Sequence, residues 1–229
     1  MERIRRMRAA GAAAFCIICV LFCAPAFGQS SGEDKSAENL FPYNFKELDD
    51  EGMPVGWNIR KAGEAAEEAV VSSIKDEDGE VVMKVEIPKE ASVFLDPVKS
   101  FEMDPAHNYL AVIQLKAEDI NHLGNWYNDQ QGVRIWLQAR DKTHTWLAVY
   151  GEGSTDGWVT GYLPFPTGGE EKRQNFHRIN IYLRCLKMTG TVYFKSPVIV
   201  KLPEGYEVNR SFEREDGTKI EKAFLQATR

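Results

Sequence analysis

Cysteine is scarce in this chain, which has four among 229 residues. Cys16, Cys19 and Cys23 lie near the amino terminus, and only Cys185 lies further along. If the first three leave with an export signal, the remaining chain cannot form an internal disulfide bond. Cys185 falls in the alternating apolar run INIYLRCL, a position typical of a buried, inert thiol rather than a nucleophile.

Motifs for metal, phosphate and nucleophilic chemistry are also lacking. The four histidines, His107, His122, His144 and His177, show no metal-ligand spacing. The sequence contains no Gly-rich phosphate loop and no G-x-S-x-G motif. Its acidic residues fall mostly in turns and tails, whereas a glycosidase needs two carboxylates flanking the bond it cleaves. The sequence therefore predicts no catalytic residue and no metal site, and it does not indicate an enzyme.

The amino terminus has the order of a secretory signal peptide. Four arginines and one acid precede an apolar run from Ala9 to Phe22, which is short for a transmembrane helix of roughly 20 residues. Ala26 and Gly28 have the spacing of a signal-peptidase site, so we predict cleavage after Gly28 and a secreted or periplasmic protein without a membrane anchor. The alternative is lipidation of Cys23, but the large Phe22 precedes it.

Basic residues are too few for a polyanion-binding surface over the whole protein. Removal of residues 1–28 leaves 24 basic and 33 acidic residues. Such a surface repels phosphate backbones, so nucleic acid is not an expected partner.

Short strands account for most of the remaining chain. Nine segments with period-two alternation or β-branched and aromatic runs lie between residues 68 and 202, and sustained helical periodicity is missing except in KAGEAAEEAV. Asp78-Gly79, Thr189-Gly190 and Asp216-Gly217 have the composition of hairpin turns. This pattern predicts an all-β fold, an antiparallel two-sheet sandwich.

The domain boundaries follow from composition. Residues 1–28 form the predicted signal peptide, and the polar residues 29–40 a flexible linker. Residues 41–203 form the predicted sandwich. The charged tail, residues 204–229, is either an appended β-hairpin or a mobile surface segment.

Two predicted strands have an unusual second face. In GVRIWLQAR, apolar residues alternate with Arg134, Trp136 and Gln138, and in HRINIYLRCL they alternate with Tyr182 and Arg184. Aromatic rings beside planar hydrogen-bonding groups suit a sugar, which presents apolar C–H faces and hydroxyl edges.

The order of features resembles a known family. The opening NFKELDDEGMPVGW, the stretch SFEMDPAHNYLAVIQLKA and the closing INIYLRCLKMTGTVYFKSPVIVKL are similar to the galactose-binding-domain-like jelly rolls, and among these to secreted carbohydrate-binding modules. The likeness covers roughly residues 41–203. It implies a jelly-roll sandwich that binds a polysaccharide or oligosaccharide without catalysis.

The resemblance also bears on calcium. Many relatives hold a structural calcium with acidic residues of the last strand, where this chain has Lys195, Ser196 and Pro197. Calcium needs six or more oxygen ligands and is opposed by nearby ammonium groups. We therefore expect no cofactor.

The candidate ligand-binding residues centre on NHLGNWYNDQQGVRIWLQAR and the strand that pairs with it. They are Trp126, Tyr127, Arg134, Trp136, Gln138, Tyr182 and Arg184. Trp136 could instead pack under a loop or against the tail. Trp158 and Tyr162 could close one end of a groove or pack into the core, and Trp57 is expected in the core.

Three functions remain open on this sequence. We favour a non-catalytic carbohydrate-binding domain. The alternatives are a structural or cell-surface interaction domain with no sugar ligand and a glycan-active enzyme.

Overall fold

The structure is a computed structural model that describes residues 38–121, 132–139, 144–151, 153–166, 178–206, 208–220 and 224–225. The chain divides into two units, residues 1–38 and 39–229, and the fold is that of the second. The predicted signal peptide and nearly all of the predicted linker lie outside the described residues. Within the described part of the chain, no helix has the length and hydrophobicity needed to cross a membrane.

Thirteen β-strands and one turn of 3₁₀-helix, Ala66–Glu68, make up the regular structure of the described residues. The strands are β1 Trp57–Ala62, β2 Val70–Lys75, β3 Val81–Pro97, β4 Phe101–Glu102, β5 Tyr109–Asn121, β6 Gly132–Ala139, β7 His144–Gly151, β8 Val159–Phe165, β9 Arg178–Phe194, β10 Val198–Lys201, β11 Ser211–Arg214, β12 Lys219–Ile220 and β13 Phe224–Leu225.

The strands form an antiparallel two-sheet jelly-roll sandwich, as the sequence predicts. In the first sheet, β2 pairs with the first half of β3, followed by the second half of β9, β5, β8, β11 and β12. In the second sheet, β1 pairs with the second half of β3, followed by the first half of β9, β6, β7 and the short parallel strand β13. We call these sheet I and sheet II.

Strands β3 and β9 each belong to both sheets. Each is 17 residues long, and the pairing between them shifts register between Ile87 and Val93, where the chain passes from one sheet to the other. The predicted turn at Thr189-Gly190 is therefore wrong, since both residues lie inside β9. The sequence pattern predicts two separate strands in EVVMKVEI, residues 80–87, and ASVFLDPV, residues 91–98. This prediction is also wrong, because the structure has one continuous strand there, β3.

The core lies between the two sheets. The apolar residues of β6 and β9 that the alternation assigned inward, including Val133, Ile135, Ile181 and Leu183, are fully buried. They belong to one cluster with residues of sheet I such as Ile113. Burial of such side chains contributes roughly 1.5–3 kcal/mol each, so this face fixes the register of the strands.

Trp57 lies in the same core, as expected. Its ring centroid is 5.2 Å from that of Phe45 and 6.0 Å from that of Phe41. The backbone just before these residues is held by Asn39, whose Oδ1 accepts hydrogen bonds from the backbone N–H groups of Phe41 and Ile199. Within the described part of the chain, Asn39 is therefore already anchored to β10, two residues before the predicted start of the sandwich.

The tail adds strands to the edge of sheet I. Strands β11 and β12 form a hairpin around Asp216 and Gly217, and β11 pairs with β8. Phe212 on β11 is 3% exposed and joins the core. The carboxy-terminal segment therefore covers an edge that would otherwise present unpaired backbone groups.

Candidate functional site

Four strands of sheet II bring one row of large side chains together on the face opposite the core. In register, Arg60 on β1 pairs with Phe94 on β3, Phe94 with Arg184 on β9, and Arg184 with Arg134 on β6. Directly paired residues of antiparallel strands have Cβ atoms about 4.5–5.5 Å apart, so these side chains are neighbours. The row contains three guanidinium groups and one aromatic ring.

A second row runs alongside the first. Trp136 on β6 pairs with Tyr182 on β9, and Asp96 lies two residues after Phe94 on β3. Trp146 on β7 occupies the register position next to Trp136. We call Arg60, Phe94, Arg134, Trp136, Tyr182 and Arg184 the arginine–aromatic cluster.

Arg184 is at the centre of this cluster. Its Cζ lies 4.6 Å from the ring centroid of Tyr182, 4.9 Å from that of Trp136 and 5.6 Å from that of Phe94. A guanidinium within about 6 Å of an aromatic ring is attracted by the ring quadrupole. The three rings therefore hold the guanidinium in place without neutralising its charge.

Charges around Arg184 are mostly positive. Among the described residues, Asp96 is the carboxylate that acts on Arg184, and its Oδ2 accepts a hydrogen bond of 2.8 Å from Arg60. Burial lowers the pKa of Arg184; Asp96 and Tyr182 raise it, and Arg60 and Arg134 lower it further. A guanidinium remains protonated in proteins, so Arg184 is a half-buried cation with cationic neighbours.

A groove of about 1040 Å³ opens over four residues of this cluster, Phe94, Arg134, Trp136 and Arg184, whereas Arg60 and Tyr182 lie outside its lining. Its described lining comprises Ala62, Gly63, Glu64, Ala65, Glu90, Ala91, Ser92, Phe94, Arg134, Trp136, Arg184, Leu186 and Lys187. The aromatic and guanidinium groups come from the strands of sheet II, and residues 62–65 border them where β1 leads into the 3₁₀ turn. The volume matches the upper end of typical small-molecule sites, about 300–1,000 Å³.

Backbone geometry brings the border of the groove close to the sheet. Gly63 has φ +117°, and a Cβ at this position would lie 3.3 Å from Cα of Ala91. Ser92 is nearly buried, and its hydroxyl accepts a hydrogen bond of 3.0 Å from the backbone N–H of Lys187. Together these features place the chain at residues 62–65 against β3 beside the groove.

The structure brings four of the seven predicted ligand-binding residues together. Arg134, Trp136, Tyr182 and Arg184 are neighbours, and Arg134 is only 5% exposed. Gln138 shares their face and pairs with Asn180, but the described lining of the groove does not include it. Trp126 and Tyr127 lie outside the described residues.

Sequence reasoning missed Phe94, Arg60 and Asp96. They lie on β1 and β3, far in sequence from the predicted cluster, and only the pairing of β3 with β9 brings them to it. The alternation of ASVFLDPV already set Phe94 and Asp96 opposite the buried Val93 and Leu95, which was the available signal.

Trp158 and Tyr162, the other two aromatic residues considered for the groove, lie next to or on β8 in sheet I. Trp158 precedes β8, and Nζ of Lys195 lies 4.8 Å from its ring centroid. Lys195 also forms ion pairs with Asp76 at 3.3 Å and Glu80 at 3.1 Å. Tyr162 pairs with Val112 and Ser211. Neither ring is among the groove residues that the structure describes.

Lys195, Ser196 and Pro197 stand where relatives have calcium-binding acids. In this structure the ammonium group of Lys195 is paired with two carboxylates. Nearby, the hydroxyl of Ser196 accepts a hydrogen bond from the backbone N–H of Phe45. Among the described residues, no group of three or more histidine, cysteine or acidic side chains could hold a metal ion.

Comparison with known proteins gives structural neighbours only. No family model and no curated protein matches the chain. Among solved structures, it is similar to TmCBM61 in complex with β-1,4-galactotriose, at 16% identity and a TM-score of 0.47, over 72% of this chain and 100% of the other. It is also similar to the CBM22-1 xylan-binding domain of Paenibacillus barcinonensis Xyn10C, at 11% identity and a TM-score of 0.42, over 74% and 97%.

A third neighbour is a mutant of the family 29 module CBM29-2 complexed with mannohexaose, at 14% identity and a TM-score of 0.38, over 69% and 89%. All three of these neighbours are carbohydrate-binding modules. The ligands are properties of these neighbours, and the site of this chain rests on its own residues.

Proposed function

We propose that this domain binds carbohydrate without catalysis, in the groove over the arginine–aromatic cluster. The observation that carries the proposal is that Trp136 and Arg184, on adjacent strands, line the groove. Tyr182 pairs with Trp136 and contacts Arg184 beside this lining. Aromatic rings stack on the C–H faces of a sugar ring, and guanidinium groups donate hydrogen bonds to its hydroxyl oxygens.

The proposal also accounts for the placement of these side chains. A sheet face that only meets water needs no aromatic ring on two adjacent strands, since exposed apolar groups gain nothing there. The rings are half-buried rather than fully packed, so part of their surface remains for a ligand. We further propose that the domain acts after export, outside the cytoplasm.

The test is the variant Trp136→Ala with retention on polysaccharides in affinity gels. Loss of a central aromatic contact costs about 2 kcal/mol at binding sites, which corresponds to roughly a thirtyfold loss of affinity. The unfolding midpoint is measured in parallel, because a tryptophan needed for the core would cost about 3–5 kcal/mol of folding energy.

Tyr193→Ala is the matched control. Tyr193 is another half-buried aromatic residue on the outward face of β9, but in sheet I, and Nζ of Lys116 lies 5.5 Å from its ring centroid. We expect this variant to keep the parent's retention. Unchanged retention in a folded Trp136→Ala variant would refute the site.

Two further outcomes decide between the classes of function. A parent domain that binds no polysaccharide would instead support a structural or cell-surface interaction domain. Release of reducing ends from a bound polysaccharide would identify an enzyme, for which Glu64 and Glu90 at the groove border would be the first carboxylates to replace.

A further inference from the structure

The charged groups of the groove are arranged unevenly. Its acidic residues, Glu64 and Glu90, are exposed at the border, whereas Arg134 is buried and Arg184 is half-buried at the base. The exposed carboxylates at the border are screened by water and salt. Charges at the base of a groove interact more strongly, because the effective dielectric constant is lower there. Among the described groups of the lining, the charges at the base are therefore positive.

The arginines are also positioned against each other. Arg134 and Arg184 are direct register partners on adjacent strands, and like charges directly opposite each other destabilise a sheet. Among the described residues, Asp96 is the carboxylate that acts on Arg184, and it is already bonded to Arg60. A negative group bound at Arg184 would reduce the repulsion that this guanidinium meets from Arg60 and Arg134.

Arg184 has one N–H group whose hydrogen-bonding capacity is unused among the described residues. Its Nε is buried, and no acceptor for it is found within the described part of the chain. The rings of Tyr182, Trp136 and Phe94 contact the guanidinium through its charge and do not accept its N–H groups in the plane. The planar fork of arginine matches an anion with two or more oxygens.

We propose that the glycan bound in this groove is acidic, with carboxylate or sulfate groups on its sugar rings. The proposal rests on the proposed carbohydrate-binding function and specifies its ligand class. In this arrangement the rings of Trp136 and Phe94, which line the groove, contact the sugar, and the guanidinium group of Arg184 binds its anionic group. The overall acidic charge of the protein opposes non-specific adsorption of polyanions, so binding depends on the groove.

The test compares matched polymers. Retention of the full chain after export is measured in affinity gels containing polygalacturonate or its methyl-esterified form, and dextran sulfate or dextran. We expect at least one acidic polymer to be retained about tenfold more strongly than its neutral counterpart, as expected for charge-assisted hydrogen bonds. The polymer that is retained distinguishes a carboxylate from a sulfate ligand.

Variants test whether the preference for acidic polymers depends on the arginine–aromatic cluster. Arg184→Gln should reduce retention of the acidic polymer by about tenfold. Arg178→Gln is the control, because Arg178 is an exposed arginine on the same strand, paired with Glu102, and its loss changes the net charge equally. If the glutamine variant does not fold, Arg184→Lys keeps the charge without the planar fork and should weaken retention by about threefold.

The outcomes separate the two proposals. Equal or stronger retention of the neutral polymers overturns the acidic ligand but leaves carbohydrate binding intact. Failure to bind any glycan, on these polymers or on a broad array, overturns both. If Arg178→Gln and Arg184→Gln weaken acidic retention equally, binding follows net charge and the groove is refuted as its site.

Discussion

Arg184 and Cys185 are adjacent in sequence, yet they have opposite environments. Arg184 extends from the outward face of sheet II among three aromatic rings, while Cys185 is fully buried in the core on the other side of the sheet. This follows from the period of two along a strand, which sends successive side chains to opposite faces. One strand therefore supplies both the proposed site and the core beneath it.

Burial raises the pKa of the Cys185 thiol well above its usual range. Because the thiolate is the reactive form, we expect no labelling of the native protein without residues 1–28, in which Cys185 is the remaining cysteine, by thiol reagents at pH 8, and full labelling in guanidinium chloride. Rapid labelling of the native protein at the rate of a free thiol would contradict the buried position.

The same shift predicts the direction of an alkaline effect. Above about pH 8.5 the unfolded thiol ionises, whereas the folded one remains neutral, so folding stability falls as pH rises through this range. Cys185→Ala serves as the control and should lose this part of the pH dependence.

Among the strands, β9 depends on one glycine. Gly190 lies inside the strand with φ +114°, and a Cβ there would be 2.7 Å from the carbonyl oxygen of Asp119 and from Cα of Ile120. Asp119 itself has φ +49°, at the irregularity where the pairing of β5 with β9 shifts. The close approach of the two backbones therefore requires a residue without a side chain.

Gly190→Ala should destabilise the protein by about 2 kcal/mol or more, because it adds backbone strain and a clash with β5. Gly79→Ala is the matched control, since Gly79 also has positive φ but no atom within 4 Å of an added Cβ. Denaturant unfolding of both variants gives the comparison. Equal losses in the two variants would show that the contact with β5 carries no cost.

Periodicity predicted individual strands better than their connections. The faces of β6 and β9 followed from strict alternation, since each position has only two orientations. Thr189-Gly190 was wrongly predicted as a turn, because a glycine with positive φ occurs both in turns and where two backbones approach closely. Strand β1 was missed because WNIRKA, largely exposed, has little alternation.

The candidate site was predictable only in part, for a related reason. Trp136, Tyr182 and Arg184 could be grouped because each stands out of phase with an apolar run. The positions of Phe94 and Arg60 next to this group depend on which strands pair and in what register. Register between distant strands is set by tertiary packing, which no local pattern contains.

At the scale of the whole molecule, the predicted export signal can be tested directly. We expect mass spectrometry of the mature protein to find an amino terminus at Gln29, either free or cyclised. A diacylglycerol adduct on Cys23 would contradict this and would place the domain on a membrane surface. Replacing Ala26 with a large residue should block processing and serves as the control.

The passage of β3 and β9 through both sheets has a consequence for how the chain folds. The hydrogen bond from the backbone N–H of Lys187 to Ser92 closes a loop of 95 residues, and the pairing of the two strands requires many contacts of similar span. Closing such loops costs entropy before any core is buried, so proteins rich in distant pairings fold in milliseconds to seconds. Neither sheet can be completed until β3 meets β9, so we expect the groove to form only after this pairing.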